Sequence, residues 1–291
     1  MSYRLHDVLA LVPLNDEGKI VLQQAKYLQD VLGVRIYVLH VIPPVSPFLR
    51  LFKPRQIRAK EHEAVKKLTQ FVKDFFGGEI PNSVIIDVLQ GPLAPTIIRH
   101  VDKENFLFII LKPSPGETGA ESTPDQKAAD EIIRQVNCPV LTINQEATKH
   151  GIRNILIPID ISEGTKKRLL WGSFFAQKTH ARVQIVSALN IDMEEKKSLA
   201  YRNAEKIKTM LQERGIECEV TILKVSGKVK HEVVLSYIEE NKPDFVIIRK
   251  RQVASSFRKN IGPFAQEIIH GSNVPVFTVG QAQKDIEQIL S

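Results

Sequence analysis

Residues 137–143, Asn137-Cys138-Pro139-Val140-Leu141-Thr142-Ile143, return almost unchanged as Asn273-Val274-Pro275-Val276-Phe277-Thr278-Val279. The stretch before each copy repeats too: Ala129, Glu131, Ile132 and Ile133 match Ala265, Glu267, Ile268 and Ile269. Toward the start of each half, Leu11-Val12-Pro13-Leu14-Asn15 reads against Leu156-Ile157-Pro158-Ile159-Asp160. Matches at both ends of a unit of about 140 residues imply a whole domain used twice, since a solenoid repeat is several times shorter. The expected domains are residues 1–148 and 149–291.

Within each copy, β-branched runs alternate with amphipathic stretches, the pattern of a parallel sheet covered by helices on both faces. The first half predicts strands over Val8–Leu14, Arg35–Val41, Ser83–Leu89, Phe106–Leu111 and Val140–Ile143. Its helices are expected at Gly18–Leu32, Pro54–Phe76, Leu93–His100 and Asp125–Gln135. The second half predicts strands Asn154–Ile159, Arg182–Leu189, Cys218–Val225, Asp244–Ile248 and Val274–Val279. Its helical spacing runs through Leu169–Phe175, Glu194–Gly215, Val229–Glu240 and Ile261–His270, with Gly215 as a stop. The fold class is therefore α/β, two tandem five-stranded doubly wound parallel sheets. Strands one, three and four read as continuous apolar runs and are expected at the centre. The short polar join near Glu146–Gly151 favours packing of the two halves as a pseudo-twofold pair through their last strands.

Composition narrows the function. The chain has 291 residues, 43% of them hydrophobic and 25% charged, which are globular values. No apolar run approaches the roughly 18 residues that cross a bilayer, and the N-terminus lacks a secretory pattern. Cys138 and Cys218 fall in different halves and give no disulfide or metal spacing. A cytoplasmic location without integral membrane association is expected. The net charge is +7, and about 22 Lys and Arg against 16 Asp and Glu in residues 151–291 supply most of it. No aromatic-interleaved basic motif accompanies that charge, so nucleic acid is not an expected partner.

The duplicated order of motifs resembles the universal stress protein family in its tandem two-domain form. The carrying residues are Ile155-Leu156-Ile157-Pro158-Ile159-Asp160, the Ala-x-Glu-Ile-Ile and Pro-Val endings of both halves, Leu39-His40-Val41, and Gln90-Gly91-Pro92-Leu93-Ala94. The resemblance implies a crevice that takes adenine nucleotides in the binding members. These have an acid after strand one and a Gly-x2-Gly-x9-Gly-Ser/Thr loop before the last helix. Glycines there let backbone N–H groups approach phosphate, helped by the helix N-terminus.

Counted back from Pro139, the loop positions fall on Pro113, Gly116, Gln126 and Lys127, with Asn15 at the acidic position. Counted back from Pro275, they fall on Arg249, Gln252, Gly262 and Pro263, with Asp160 as the acid. Bulky residues bar the close approach, and Pro263 has no N–H. Each lost charge-assisted bond removes roughly 1.5–3 kcal/mol, so two or three remove most of a micromolar affinity.

The candidate residues are Asp160, Gly262, Arg249 and Arg251, to be used only if a nucleotide or anion binds. Asp160 positions a ribose or simply caps the next helix. Gly262 admits phosphate or simply leads into Pro263 at a helix start. Arg249-Lys250-Arg251, with Arg258 and Lys259, would offer side-chain donors to an anion or form an exposed basic loop. Lys112–Asp125 reads as a mobile polar loop, a place for regulation or proteolysis. Ile42–Lys60 reads as a lid over the crevice or as an apolar-basic contact with a membrane surface or partner. His40, His100, His150 and His180 are scattered, with no carboxylate at ligand spacing, so no metal is expected.

The expectation is a non-catalytic stress-response or regulatory interaction module. It would have degenerate nucleotide sites, no cofactor, a protein partner and possible homo-oligomers. The alternatives are ATP or AMP binding through the second domain, and a small-molecule carrier with an apolar pocket beneath Pro43–Phe52.

Overall fold

The computed structural model describes residues 7–45, 54–104, 106–114, 121–144, 151–159, 166–189, 199–250 and 261–280. The chain divides into two compact units, Met1–Ile143 and Asn144–Ser291. In unit one the strands are β1 (Asp7–Leu11), β2 (Arg35–Ile42), β3 (Val84–Gln90), β4 (Phe108–Leu111) and β5 (Val140–Thr142). Helices α1 (Asp16–Leu32), α2 (Pro54–Phe75), α3 (Leu93–Glu104) and α4 (Gln126–Gln135) alternate with them. Unit two repeats the order with β6 (Asn154–Pro158), β7 (Arg182–Leu189), β8 (Cys218–Lys224), β9 (Phe245–Arg249) and β10 (Val276–Val279). Its helices are α5 (Lys166–Thr179), α6 (Leu199–Gln212), α7 (Lys230–Asn241) and α8 (Pro263–Gly271). Residues 194–198 of the expected long helix lie outside the described residues.

Within each unit every strand pairing among the described residues is parallel. Unit one runs β3-β2-β1-β4-β5 and unit two runs β8-β7-β6-β9-β10. The third strand of each unit is thus outermost and the second is interior, which corrects the sequence expectation. The reason is visible in burial: β3 is only half-buried along Ile85–Gln90, and its apolar residues meet α2 rather than a second sheet neighbour.

Local chemistry sets the helix ends. Asn15 caps α1 by accepting from Gly18 N–H at 3.2 Å, and Gly33 closes it in the left-handed region at φ 71°. Gly18 has no alternative, because a Cβ there would stand 1.9 Å from the Pro13 carbonyl oxygen. Asp125 caps α4 through a 2.6 Å bond from Ala128 N–H. Glu232 reaches back to Val229 N–H at 3.2 Å and fastens the start of α7. The core of unit one is mainly aliphatic, with Leu9, Leu28, Ile36, Leu39, Ile109 and Ile110 fully shielded and Phe106 and Phe108 buried among them. Unit two gathers Trp171, Phe175, Phe245 and Phe277, all fully buried, with ring centroids from 4.9 to 5.9 Å apart.

Each unit by itself ties the start of its first strand to the start of its second. Buried Asp7 at the start of β1 accepts from Arg35 Nε at 2.6 Å, and Asn154 accepts from Arg182 at the same place in unit two. Asp7 lies in register with Arg35 and Asn154 with Arg182, so these residues give the true correspondence between the halves. Leu11 then answers to Pro158 and Val12 to Ile159, two places away from the alignment read along the sequence. The burial of α1 and α5 agrees: Leu22, Ala25 and Leu28 fall where Leu169, Gly172 and Phe175 fall. Counted in this register, the partner of Asp160 in unit one is Pro13 rather than Asn15.

Candidate functional site

In a doubly wound sheet the ligand crevice opens at the carboxyl ends of the strands, where the strand order reverses. That point lies between β1 and β4 in unit one, and between β6 and β9 in unit two.

In unit one the point is filled by the chain itself. β2 runs past the end of β1, whose last register pair is Leu11 with Leu39. Val12 N–H still reaches Leu39 O at 2.9 Å, but the next backbone groups of β2, at Val41, have lost their ladder on that side. Ser122 replaces it: its Oγ accepts from Val41 N–H and donates to Val41 O at 3.2 Å. Orphaning such buried groups would cost roughly 1–3 kcal/mol each. The serine is 2% exposed and sits at φ 65°, a conformation that needs a local reason in a residue with a Cβ. Thr123 and Pro124 are buried beside it, and Ser114 N–H closes the neck on Pro124 O at 2.9 Å. The expectation of a mobile loop over Lys112–Asp125 is therefore corrected at both ends: residues 112–114 and 121–125 are packed and bonded. Residues 115–120 lie outside the described residues.

His40 continues the seal. It is fully buried, with Nδ1 at 2.8 Å from Val12 O and Nε2 at 3.4 Å from a Glu121 carboxylate oxygen. A carbonyl only accepts, so the hydrogen bond to Val12 O is donated by Nδ1. The two residues are 81 apart in sequence, so spacing gave no sign of a carboxylate beside this histidine.

The helix that would greet a phosphate is closed in each unit. At the N-terminus of α4 the Asp125 carboxylate occupies the anion position itself. In unit two Gly262 is the N-cap of α8 with φ −69° and ψ 148°, and Pro263 follows at the first helical position. Gly262 N–H is taken by Lys250 O at 2.9 Å, and Lys250 N–H in turn by Val279 O at 2.9 Å. Gly262 is thus brought against the end of β9, where Arg249 is half-buried and in register with Val279. Lys112 follows β4 as Arg249 ends β9, so both switch points carry a cation. Asp160 and Arg251 lie outside the described residues, as do Gln252, Arg258 and Lys259.

Beside the seal, a cavity of about 360 Å³ opens at the ends of β2 and β3. Pro43, Pro44 and Val45 border it from the segment expected to be a lid, and Ala64 from α2; residues 46–53 lie outside the described residues. On its rim Lys67 pairs with Glu63 at 2.8 Å. The lysine holds the Glu63 carboxyl below the usual range, and the carboxylate raises Lys67, so the pair stays charged through neutral pH. In unit two Arg168, 4% exposed, donates to Pro158 O at 2.7 Å where β6 ends. Sequence reading passed over it because α5 has an unremarkable apolar pattern there. Both cysteines are buried, and burial pushes the Cys218 thiol up to about 11. Among the described residues no His, Cys, Asp and Glu group could hold a metal, and no helix is long and apolar enough to cross a membrane.

The description of the universal stress protein family matches residues 6–144 and again 151–280. Among solved structures, a universal stress protein from Archaeoglobus fulgidus DSM 4304 superposes with a TM-score of 0.70 at 17% identity, covering 97% of this chain and 98% of that one. A putative universal stress protein from Pseudomonas aeruginosa UCBPP-PA14 gives 0.65 at 18% identity, over 98% and 96% of the two chains. No curated protein matches the sequence.

Proposed function

Since the chain belongs to the universal stress protein family, with one family domain in each half, we propose that it is a non-catalytic interaction or regulatory module whose nucleotide sites are degenerate. The observation that carries this reading is the closure of both phosphate-facing helix ends. Asp125 places a carboxylate at the first, where a phosphate would meet like charge. At the second, Gly262 has given its N–H to Lys250 and Pro263 has none to give. Binding a polyphosphate would require breaking these bonds without gaining an equal number. The packed Ser122–Pro124 segment supports the same reading, because it stands where the crevice of unit one would open.

Isothermal titration with ATP and with AMP tests it. No binding is expected at ligand concentrations up to the millimolar range. Micromolar binding that Asp160→Ala abolishes would establish the opposite, a nucleotide binder working through the second domain.

A further inference from the structure

We propose that the cavity beside β2 and β3 is a binding site for a compact, mostly apolar carboxylate. This goes beyond the proposed function, which concerns the switch points and the absence of nucleotide. The size sets the first bound. About 360 Å³ falls at the lower end of small-molecule pockets and corresponds to about a dozen waters. That suits a bicyclic or short-chain acid and is too small for a nucleoside triphosphate.

The lining sets the chemistry. Ile42, Pro44, Val45 and Ala64 give an apolar wall, of which Ala64 is 8% and Ile42 6% exposed. Four charges stand on the rim, and of these Glu63 and Lys67 form an ion pair with each other, while the Lys60 charge acts on Glu63 from beyond ion-pair distance. Glu63 is held by Lys67 at 2.8 Å, and Glu121 faces His40 at 3.4 Å. Lys60 lies on the cavity side of α2, one turn before Glu63 and two turns before Lys67, and makes no ion pair within 4 Å among the described residues. An incoming amine would compete with Lys67 or His40 for a carboxylate already engaged. An incoming carboxylate would meet Lys60 directly, at the mouth, while its apolar body covers the proline and alanine wall. The seal shapes the same space. Glu121, next to buried Ser122, brings the edge of the seal to the rim of the cavity.

The probe is 2-naphthoate, with 2-naphthamide as its uncharged isostere and ATP as a third ligand, each titrated against the full chain by calorimetry. Naphthoate is expected to bind, and the amide more weakly by up to about fivefold, the upper end for one exposed ion pair. Ala64→Trp fills the cavity and should remove naphthoate binding. Lys60→Glu, at an exposed helix position, should weaken it at least about tenfold with unchanged ellipticity, and it keeps the test intact if the tryptophan variant does not fold. The proposal is overturned if naphthoate does not bind, if acid and amide bind alike, or if Lys60→Glu binds as the native chain does. ATP binding that Ala64→Trp removes would overturn it together with the proposed function. Failure of naphthoate with no ATP binding would leave that function standing.

Discussion

Cys218 shows how one residue's surroundings decide its chemistry. Its thiol is 3% exposed at the start of β8, and burial raises its pKa from 9.0 to about 11. The folded state therefore holds a proton that the unfolded chain releases first. Stability from this group is complete below pH 9 and declines as pH rises toward 11. Urea titrations across that window should show the decline, and Cys218→Ala should flatten it. Native protein at pH 8 should also resist iodoacetamide at this position. Sequence spacing said only that Cys138 and Cys218 lie in different halves without disulfide or metal spacing; the burial that sets this thiol's chemistry comes from the fold. Likewise, the partnership of His40 with Glu121 and of Ser122 with Val41 joins residues 81 apart, and no local pattern announces it.

At the scale of elements, most strands and helices were legible because burial imposes a period on the sequence. Arg182–Leu189 is read identically from sequence and structure, and α2 differs by one residue at its end. Two features were misread for physical reasons. β3 is apolar because α2 covers it, so an apolar run did not mean a central strand. The correspondence of the halves was taken from Leu-x-Pro, whereas the ladder register follows Arg35 and Arg182, each tied to the first strand of its unit. An Arg opening strand two in both halves was the signal that would have found it. Helix α4 offers a direct check on the closed anion position. Asp125→Ala removes its cap and should cost about 1 kcal/mol, read as a lower urea midpoint with unchanged slope.

For the molecule as a whole, duplication kept the fold and let the two interiors diverge. Unit one relies chiefly on aliphatic packing around Phe106 and Phe108, and Gln24 is fully buried where register places Trp171 in unit two. Trp171 stacks on Phe175 at 5.7 Å and meets Phe277 at 4.9 Å, so its removal leaves a large void. Trp171→Ala is expected to destabilise unit two by roughly 3–5 kcal/mol, followed by far-ultraviolet ellipticity in urea. An effect under about 1 kcal/mol would show that this interior tolerates collapse.

The chain contains a single tryptophan. Indole emission during denaturation consequently times only the second repeat, while the first melts in the dark. A shielded ring should emit toward the blue and escape iodide quenching until that repeat opens, so emission times the second half alone while tyrosine absorbance and ellipticity follow both.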